Sequence, residues 1–384
     1  MHDSPRAAAR RAAPLSALRA LLAFSLLGAL LAACGGEDVA GSRVAGPDDP
    51  TTTGGEPSST DAPSTTRPPE GSGQAVTLAF AGDASFEGLE AGLASDPRGL
   101  LSAIAPVLGA ADVSMVNLEA ALGTGGRREA KTFAFQVPEA ALTALGAAGT
   151  DVVSMANNHG MDYGRSGLES SLQVRARSEV AVIGIGSDAE DAYRPYVTEV
   201  RGQRIGIIAA NDVFDSNLVG SWTATDEQGG IASAEEAHQD RLAAEIAELR
   251  PQVDTLAVYL HYGTEKETCP NARQRELVDL LVDAGADIVV GSHAHRLQGL
   301  GYHGDRFVAY GLSNFVFRSP SDAGRASGVL TVTATGRRID GYEWSPARIT
   351  ASVPAPLTGD AAQAARVQMD ELRACADLTA EPET

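Results

Sequence analysis

Five short motifs that carry carboxylate, amide or imidazole side chains each follow an apolar stretch in the middle of this chain. They are Gly82-Asp83, Asn117-Leu118-Glu119, Ala156-Asn157-Asn158-His159, His261-Tyr262-Gly263-Thr264-Glu265 and Gly291-Ser292-His293-Ala294-His295. These groups supply the oxygen and nitrogen donors that bind Mn, Zn or Fe. Side chains at the carboxyl ends of neighbouring strands converge on one crevice. The motifs therefore predict one shared site for a divalent metal.

Each motif taken alone also has a structural explanation. Asp83 is suited to cap the segment after its strand, and an isolated Glu119 is usually solvated. His159 is harder to explain in this way, because two adjacent amides before it interrupt an apolar strand. His293 and His295 are two residues apart, which places both imidazoles on one side of an extended loop. The position of all five motifs at strand ends favours a single site over five unrelated roles.

The elements that must position these motifs are strands alternating with helices. Strands are predicted over residues 76–81, 112–117, 151–155, 180–185, 196–200, 204–210, 254–260, 287–290, 307–310, 315–318, 329–335 and 341–349. Helices are predicted over residues 97–110, 138–149, 167–178, 234–249, 272–284 and 360–374. The strands at 196–200 and 204–210 form a hairpin that turns on Gly202-Gln203. This pattern predicts an α/β domain of mixed sheets with helices outside.

Residues 1–34 predict the signal peptide of a bacterial lipoprotein. A basic segment is followed by an apolar run over residues 20–31, which is too short to span a membrane. The run ends in Leu31-Ala32-Ala33-Cys34-Gly35, a lipobox in which Cys34 is lipidated and becomes the new N-terminus. An ordinary secretory peptide that happens to contain a cysteine is the alternative. The prediction is an extracytoplasmic protein that is anchored to the cell membrane.

Residues 35–74 are rich in Thr, Ser, Pro, Gly and acidic residues, with little apolar surface to bury. Such a segment cannot offset the entropy that ordering costs, so it is predicted to be a disordered linker. Residues 75–350 are long enough for one large domain with its own core. Residues 351–384 form a C-terminal extension with one helix.

Charge and cysteine content fit an exported protein. The chain has 30 basic and 50 acidic residues, for a formal net charge of −20. A surface this acidic argues against nucleic acid as a partner. An anionic substrate must therefore be attracted by a local group, and a metal ion would serve. Once Cys34 is lipidated, Cys269 and Cys375 remain, and the sequence leaves open whether they form a disulfide.

Together with Gly311-Leu312-Ser313-Asn314-Phe315, the five motifs resemble those of the CapA-type poly-γ-glutamate biosynthesis proteins. These belong to the calcineurin-like metallophosphoesterase superfamily, and the resemblance covers about residues 76–349. It implies a four-layer αββα sandwich of two mixed sheets, with a metal centre at the strand ends.

The resemblance also implies a role for each site residue. The implied metal ligands are Asp83, Glu119, Asn158, His261, His293 and His295. His159 is implied as the acid–base group, and the spacing suggests Asp162 as its partner. Supporting or substrate-contacting positions are Asn117, Asn157, Glu265, Ser292 and Asn314. Ser85 stands where the superfamily has a further histidine ligand, and Glu119 is one methylene longer than the usual aspartate, so the pattern leaves one or two ions open.

The implied chemistry is metal-dependent hydrolysis, and the implied setting is the synthesis or anchoring of poly-γ-glutamate or another envelope polymer. The implied partners are an anionic polymer or phosphoester substrate, the membrane through the lipid on Cys34, and synthase subunits. The alternative is a non-catalytic accessory protein that uses the site to bind an anionic polymer. A complete ligand set with His159 intact favours the hydrolase.

Overall fold

The computed structural model describes residues 71–383. The predicted signal peptide, Cys34 and linker residues 35–70 lie outside this range, so those domain boundaries stay predictions. At the start of the range, the Ser72 hydroxyl donates to the Arg201 carbonyl oxygen at 2.7 Å. Between residues 71 and 383, every helix is too short or too polar to cross a membrane.

The strands and helices follow the alternation that the sequence predicts. The first strands are β1 (Val76–Ala84), β2 (Val113–Leu118), β3 (Ala121–Leu122), β4 (Gln136–Val137), β5 (Val152–Ser154), β6 (Ala181–Ile183), β7 (Ile185–Gly186), β8 (Tyr196–Val200) and β9 (Gln203–Asn211). The later strands are β10 (Gly230–Ile231), β11 (Thr255–Tyr262), β12 (Ile288–His293), β13 (Leu300–His303), β14 (Arg306–Ala309), β15 (Asn314–Val316), β16 (Ala326–Thr335), β17 (Arg338–Thr350) and β18 (Val353–Pro356). The helices are α1 (Glu90–Ser95), α2 (Ala105–Leu108), α3 (Ala140–Ala147), α4 (Gly164–Arg175), α5 (Ala189–Ala192), α6 (Val219–Trp222), α7 (Gln239–Leu249), α8 (Ala272–Ala284) and α9 (Gly359–Leu372).

Two mixed sheets form the centre of the described domain. The eight-stranded sheet has the order β18-β17-β16-β1-β2-β5-β6, with β15 beside β1. Its strands β1, β2, β5 and β6 are parallel neighbours, whereas β16, β17 and β18 pair in antiparallel fashion. The six-stranded sheet has the order β13-β14-β12-β11-β9-β8, with parallel pairing from β9 to β14. Both sheets therefore present several parallel carboxyl ends at one edge.

Side chains along the six-stranded sheet alternate between two buried clusters, as the period of a strand requires. Ile207 and Tyr259 join a cluster that also contains Phe80 of the eight-stranded sheet. Their neighbours in sequence, such as Ile208 and Val258, pack with α7 and α8 in a second cluster. The core between the sheets is thus separate from the core beneath these two helices.

Helices α1 to α4 complete the other side of the domain. They bury leucines in the cluster of the eight-stranded sheet, among them Leu93, Leu108, Leu145 and Leu168. Two mixed sheets face each other with helices on both outer sides, so the predicted four-layer αββα sandwich is confirmed.

The predicted helix at residues 97–110 is wrong over most of its length. Only α2 is α-helical there, and the residues before it form consecutive turns, with Ser102 N donating to Gly99 O at 3.2 Å. The Asp96 carboxylate accepts from Gly99 N at 3.0 Å, which offers the backbone an alternative to a helix. Pro106 has no N–H to donate. Local side-chain bonding therefore overrides the apolar pattern.

Three other boundaries differ for local reasons. The predicted strand at 180–185 divides at Gly184, whose φ is 85°, and β7 leaves the sheet to pair with β10. The hairpin turns on Arg201 and Gly202, both at positive φ, so Gln203 is already in β9. Strands β13 and β18 are absent from the prediction, because their sequences contain glycine or proline. Both are edge strands, where such residues are tolerated.

The question that the sequence leaves open about the two remaining cysteines has a structural answer. Cys269 and Cys375 form a disulfide, with Cα atoms 5.6 Å apart across 106 residues. The bond joins the loop after β11 to the segment that follows α9. The C-terminal extension is therefore covalently attached to a loop beside the predicted site.

Candidate metal centre

The predicted ligands lie at the carboxyl ends of parallel strands from both sheets. They are Asp83 in β1, Glu119 after β2, Asn158 after β5, His261 in β11, His293 at the end of β12 and His295 just beyond it. The register places Asp83 beside Asn117, and Tyr262 beside His293. Each sheet thus contributes three side chains to the same edge of the sandwich.

Two glycines make room for this convergence. A Cβ at Gly82 would collide with the Ser313 carbonyl oxygen, and one at Gly291 with the Tyr262 ring and the Tyr310 carbonyl oxygen. Only glycine permits such close approach of backbone and neighbour. Each glycine lies one or two residues before a candidate ligand, so these close contacts fix the backbone positions of Asp83 and His293.

Two groups of ligand atoms share one carboxylate. Glu119 with His261 and His293 forms one group, and Asp83 with Glu119 and His295 forms the other; the donor atoms of each group lie within 4.8 Å of one another. Glu119 Oε1 is 3.5 Å from His261 Nε2 and 4.0 Å from His295 Nε2. Glu119 is therefore positioned to bridge two cation positions.

Asn158 belongs with the first of these groups. Its Oδ1 is 2.8 Å from His261 Nε2, and that nitrogen is in turn 3.1 Å from His293 Nδ1. Ring nitrogens and an amide oxygen that point at a common centre are the donor set of a divalent transition metal. Ser85 offers no imidazole, so the second group consists of two carboxylates and His295.

The Glu119 carboxylate gives the test of whether this donor set suits a cation. It is fully buried, and among residues 71–383 neither of its oxygens has a hydrogen-bond partner. Burial, together with the negative charge of Asp83, raises the pKa of Glu119 well above its usual range. An unpaired buried carboxylate is costly to the fold. A divalent metal would supply the missing partner, so the residues fit such an ion.

Three of the four neighbouring groups are already in the protonation states that metal binding requires, and the fourth, His295, must lose a proton in order to bind. Burial lowers the pKa of His261 well below its usual value and that of His293 to about 4, which keeps both imidazoles neutral. Burial acts to raise the pKa of Asp83, but the hydrogen bond with His295 and the positive charge of His295 hold it below its usual value. Asp83 is therefore ionised. Burial acts to lower the pKa of His295, but Glu119 and Asp83 raise it to about 9.

The backbone is strained where the histidine ligands lie. His293 has a φ of 92°, His295 of 51° and the nearby Ser313 of 59°. Residues other than glycine rarely adopt this region, and such strain is found where the surrounding structure enforces a functional geometry. It turns the chain so that both imidazoles face Glu119.

The predicted supporting residues hold the ligands in orientation. Asn117 Nδ2 donates to Asp83 Oδ1 at 2.8 Å, and Asn157 Nδ2 donates to Asn117 Oδ1 at 3.0 Å. Ser292 Oγ is 3.1 Å from His261 Nδ1. Such outer contacts set the tautomer and direction of a ligating imidazole.

Asn314 and Glu265 are the other two predicted supporting or substrate-contacting residues. Asn314 Oδ1 is 2.7 Å from His295 Nδ1, and its amide nitrogen donates to the Gly324 carbonyl oxygen. Glu265, in contrast, is exposed, and its negative charge contributes to the raised pKa of Glu119. Glu265 thus acts on the site through charge, and the two ligand groups do not include it.

His159 faces the ligand groups without belonging to either. Its Nδ1 is 2.6 Å from Asp162 Oδ2, which agrees with the partner that the spacing suggests. Its Nε2 is 3.9 Å from Glu119 Oε1. Burial lowers the pKa of His159, against the opposing effect of Asp162. A neutral imidazole that donates through Nδ1 presents Nε2 toward the centre as a proton acceptor.

The sequence matches a known protein family. Residues 77–319 match the model of the family described as bacterial capsule synthesis protein PGA_cap. The chain belongs to this family. The match includes every predicted ligand and both members of the His159–Asp162 pair.

Curated relatives are similar over part of their length. The PGA biosynthesis protein CapA of Bacillus subtilis (strain 168) is 31% identical over 214 residues, which is 54% of this chain and 53% of the relative. The capsule biosynthesis protein CapA of Bacillus anthracis is 31% identical over 191 residues, or 49% and 45%. A probable polyglutamine synthesis accessory protein of Mycobacterium tuberculosis is 26% identical over 213 residues, or 54% and 56%. The chain spans about half the length of the curated relatives it matches.

Solved structures show a more distant likeness. A putative 5′-nucleotidase from Staphylococcus aureus is 14% identical, with a TM-score of 0.46 over 78% of this chain and 58% of that one. The NAD nucleotidase of Haemophilus influenzae is also 14% identical, with a TM-score of 0.41 over 80% and 65%. Because both TM-scores lie below 0.5, the fold class of this PGA_cap protein is assigned from its own two sheets.

Lys131 is a site residue that the sequence analysis misses. Its buried Nζ donates to Asp162 Oδ1 at 2.7 Å and to the Asn158 carbonyl oxygen. Phe135, from the same loop, donates its N–H to Asp162 Oδ2 at 2.7 Å and places its ring 4.6 Å from that of His159. Residues 123–135 have no periodic pattern, and lysine is usually a surface residue. The sequence therefore carries no local signal for either residue.

Proposed function

We propose that this protein is a metal-dependent hydrolase, with a site of phosphoesterase type, that acts in the synthesis or anchoring of poly-γ-glutamate or another envelope polymer. The observation that carries the proposal is the unpartnered, shared carboxylate of Glu119 between two ligand groups, with His159 directed at it from outside both. A site that only binds needs no such acid–base group.

The proposed cofactor is Mn, Zn or Fe. Its first position would be held by Glu119, Asn158, His261 and His293, and its second by Asp83, Glu119 and His295. A divalent ion supplies Lewis-acid chemistry, because it polarises a phosphoryl or acyl oxygen and lowers the pKa of water.

The protein side chains handle the proton. Asp162 fixes the Nδ1–H of His159, so that Nε2 is the atom that takes up or releases a proton at the centre. Lys131 and the N–H of Phe135 each hold one oxygen of Asp162, which prevents the carboxylate from rotating away. Both side chains of this pair are buried.

The polymer setting rests on the names of the relatives, which refer to capsule and PGA biosynthesis. Synthase subunits are the proposed protein partners, and the membrane is the proposed location through a lipid on Cys34.

Cys34→Ser is expected to release the protein from the membrane fraction or to leave the precursor uncleaved. Unchanged fractionation together with unchanged mass would reject the lipid anchor.

A second candidate is a non-catalytic accessory role in which the same site holds an anionic polymer. It is favoured by the word accessory in the name of the Mycobacterium tuberculosis relative. The two candidates differ in whether any step depends on proton transfer by His159.

His159→Asn separates the candidates. In the hydrolase, turnover of bis(p-nitrophenyl) phosphate or of poly-γ-glutamate is expected to fall about a hundredfold, the scale of losing a positioned proton donor or acceptor. Metal content, measured by mass spectrometry, is expected to stay at the wild-type level. His303→Asn is the matched control, since His303 pairs only with Asp279 on the surface among the described contacts.

The outcomes distinguish the roles clearly. If metal-loaded wild-type protein hydrolyses no phosphoester, amide or polymer in a broad panel, the hydrolase is rejected and the accessory role remains. If His159→Asn keeps full turnover, the assignment of His159 fails. If it abolishes hydrolysis but fully complements a deletion strain, the cellular role is binding.

A further inference from the structure

Three arginines line a cavity at the same edge of the sandwich as the metal centre. The cavity has a volume of about 410 Å³, and its lining includes Arg318, Arg325, Arg348, Ser319 and Ser352. Every polar side chain in this group is a hydrogen-bond donor. These guanidinium groups form a local concentration of positive charge in a chain whose formal net charge is −20.

Strand direction places this cavity beside the metal centre. Strand β16 is antiparallel to both β1 and β17, so β17 runs parallel to β1. Phe80 pairs with Leu330, which pairs with Trp344; Asp83 comes three residues after Phe80, and Arg348 four residues after Trp344. At Phe80, two strand spacings, together about 10 Å, separate β1 from β17. At Asp83 the neighbour of β1 on that side is β15.

Two further links connect the cavity to the ligands. Arg318 follows Phe317, whose ring lies 4.8 Å from that of the ligand His295. Arg325 follows Gly324, whose carbonyl oxygen accepts from Asn314, the residue that contacts His295 Nδ1. The arginines are therefore fixed relative to the metal centre by direct neighbours in the chain.

The acidic groups near these arginines do not neutralise them. The Asp322 carboxylate accepts from both Arg325 and Arg348, the latter at 2.9 Å, and Glu87 is 3.9 Å from Arg318 Nη1. Two acids thus face three guanidinium groups. The arginine side chains are 71%, 34% and 44% exposed in chain order, which leaves N–H donors directed at solvent. Asp322 orients Arg325 and Arg348 and leaves their other N–H groups available.

We propose that this arginine cavity binds carboxylates of a polyanionic chain, a nearby linkage of which reaches the metal centre. The inference rests on the proposed function and names its substrate class. A guanidinium fork matches a carboxylate in two parallel hydrogen bonds, which a surface lysine does not. Because β17 lies at least two strand spacings from β1, about 10 Å or more, the cavity holds a segment beside the reacting bond and leaves that bond to the candidate ligands and His159.

The test uses the binding of fluorescently labelled poly-γ-glutamate to metal-loaded protein over a range of salt concentrations. Arg318→Gln/Arg325→Gln/Arg348→Gln is expected to weaken binding about tenfold or more and to reduce its salt dependence. Turnover of p-nitrophenyl phosphate, too small to reach the cavity, is expected to stay within about twofold of wild type. Arg177→Gln is the matched control, because Arg177 pairs with Glu139 on another face.

A single variant protects the test from misfolding. Arg318 makes only the 3.9 Å contact with Glu87 among its described ion pairs, so Arg318→Gln is expected to fold normally and to weaken binding about threefold. Unchanged affinity in both variants, or no polymer binding by the wild type, overturns the proposal. Arginine-dependent binding of anionic phospholipid vesicles, with polymer binding unaffected, also overturns it.

The proposed function and this inference fail separately. Wild-type protein that hydrolyses nothing but binds polymer through the arginines supports the cavity and rejects the hydrolase. Hydrolysis of the polymer with affinity and KM unchanged in the triple variant rejects the cavity and leaves the hydrolase in place.

Discussion

Two fully buried carboxylates lie at opposite ends of the strands and have opposite surroundings. Asp287 precedes β12, and Glu119 follows β2. Asp287 Oδ1 accepts from Arg306 and Arg337 at 3.0 Å each, and its Oδ2 accepts from Arg250 and from Leu256 N. Glu119 has no such partner among residues 71–383. One end of the sandwich satisfies its buried charge, and the other leaves it open.

The difference shows how a structural carboxylate can be told from a ligand. Buried polar groups in native proteins are almost always paired, so an unpaired one calls for a bound partner or a function. Asp287 draws arginines from both sheets, since Arg337 lies in the turn between β16 and β17. The contacts of Asp287 hold the two sheets together at that end. The opposite end can then contain residues with strained backbone and an unpaired carboxylate.

The largest expected effect breaks the metal end alone. Glu119→Gln removes the carboxylate that both ligand groups share, so metal affinity is expected to fall by more than about a hundredfold, the scale already reached by losing a ligand's supporting contact. The thermal midpoint of the metal-free protein is expected to change little, because the raised pKa of Glu119 already favours its neutral form there. Metal analysis and thermal unfolding in chelator check both parts; full metal content in the variant would contradict the bridging role.

The next effect breaks the opposite end. Asp287→Asn leaves three arginines around a neutral group, and the free energy of unfolding is expected to drop by about 3–5 kcal/mol. Urea unfolding measures the loss, with Glu139→Gln, an exposed partner of Arg177, as the control that changes little. Metal content per folded molecule is expected to remain normal. Loss of metal without loss of stability would show that the two ends are not separate in function.

The smallest expected effect concerns a residue that lies at the metal end and yet has its charge paired. Lys131 lies at the metal end but is paired, with Asp162 and Asp215 at 2.7 and 3.3 Å. Lys131→Met is expected to lower kcat for bis(p-nitrophenyl) phosphate about ten- to a hundredfold with little change in KM. Lys131→Arg is expected to recover part of the loss. A normal kcat with a lowered thermal midpoint would assign Lys131 to the fold only.

The sequence indicates which candidate ligands lie close together, because each one is in or just after an apolar strand. Asp83 and His261 follow runs of buried residues, and the parallel order of those strands brings them to one edge. Lys131 could not be found in this way, since it enters from an irregular loop and its partners are distant in sequence. Glu265 differs from the other motif residues, because its motif continues past the strand into an exposed loop, and its role as a supporting or substrate-contacting residue stays a prediction.

The same limit applies to the fold. Long strands with a clear period, such as β9 and β11, are close to their predicted bounds. The helix at 97–110 fails because Asp96 and Gly99 form a local turn that an apolar count does not register. The pairing of Asp287 with arginines from three separate segments depends on tertiary contacts, which no local pattern encodes.

The Tyr259 hydroxyl donates to the Ala81 carbonyl oxygen at 2.8 Å, directly across from one sheet to the other and just before Gly82. Since each of the two groups of candidate ligands includes side chains from both sheets, an ion bound by either group would cross-link the two halves of the core. Binding and folding are then thermodynamically linked, so the unfolding temperature rises with the logarithm of the free metal concentration. Heat would release the ion and separate the sheets in one cooperative transition.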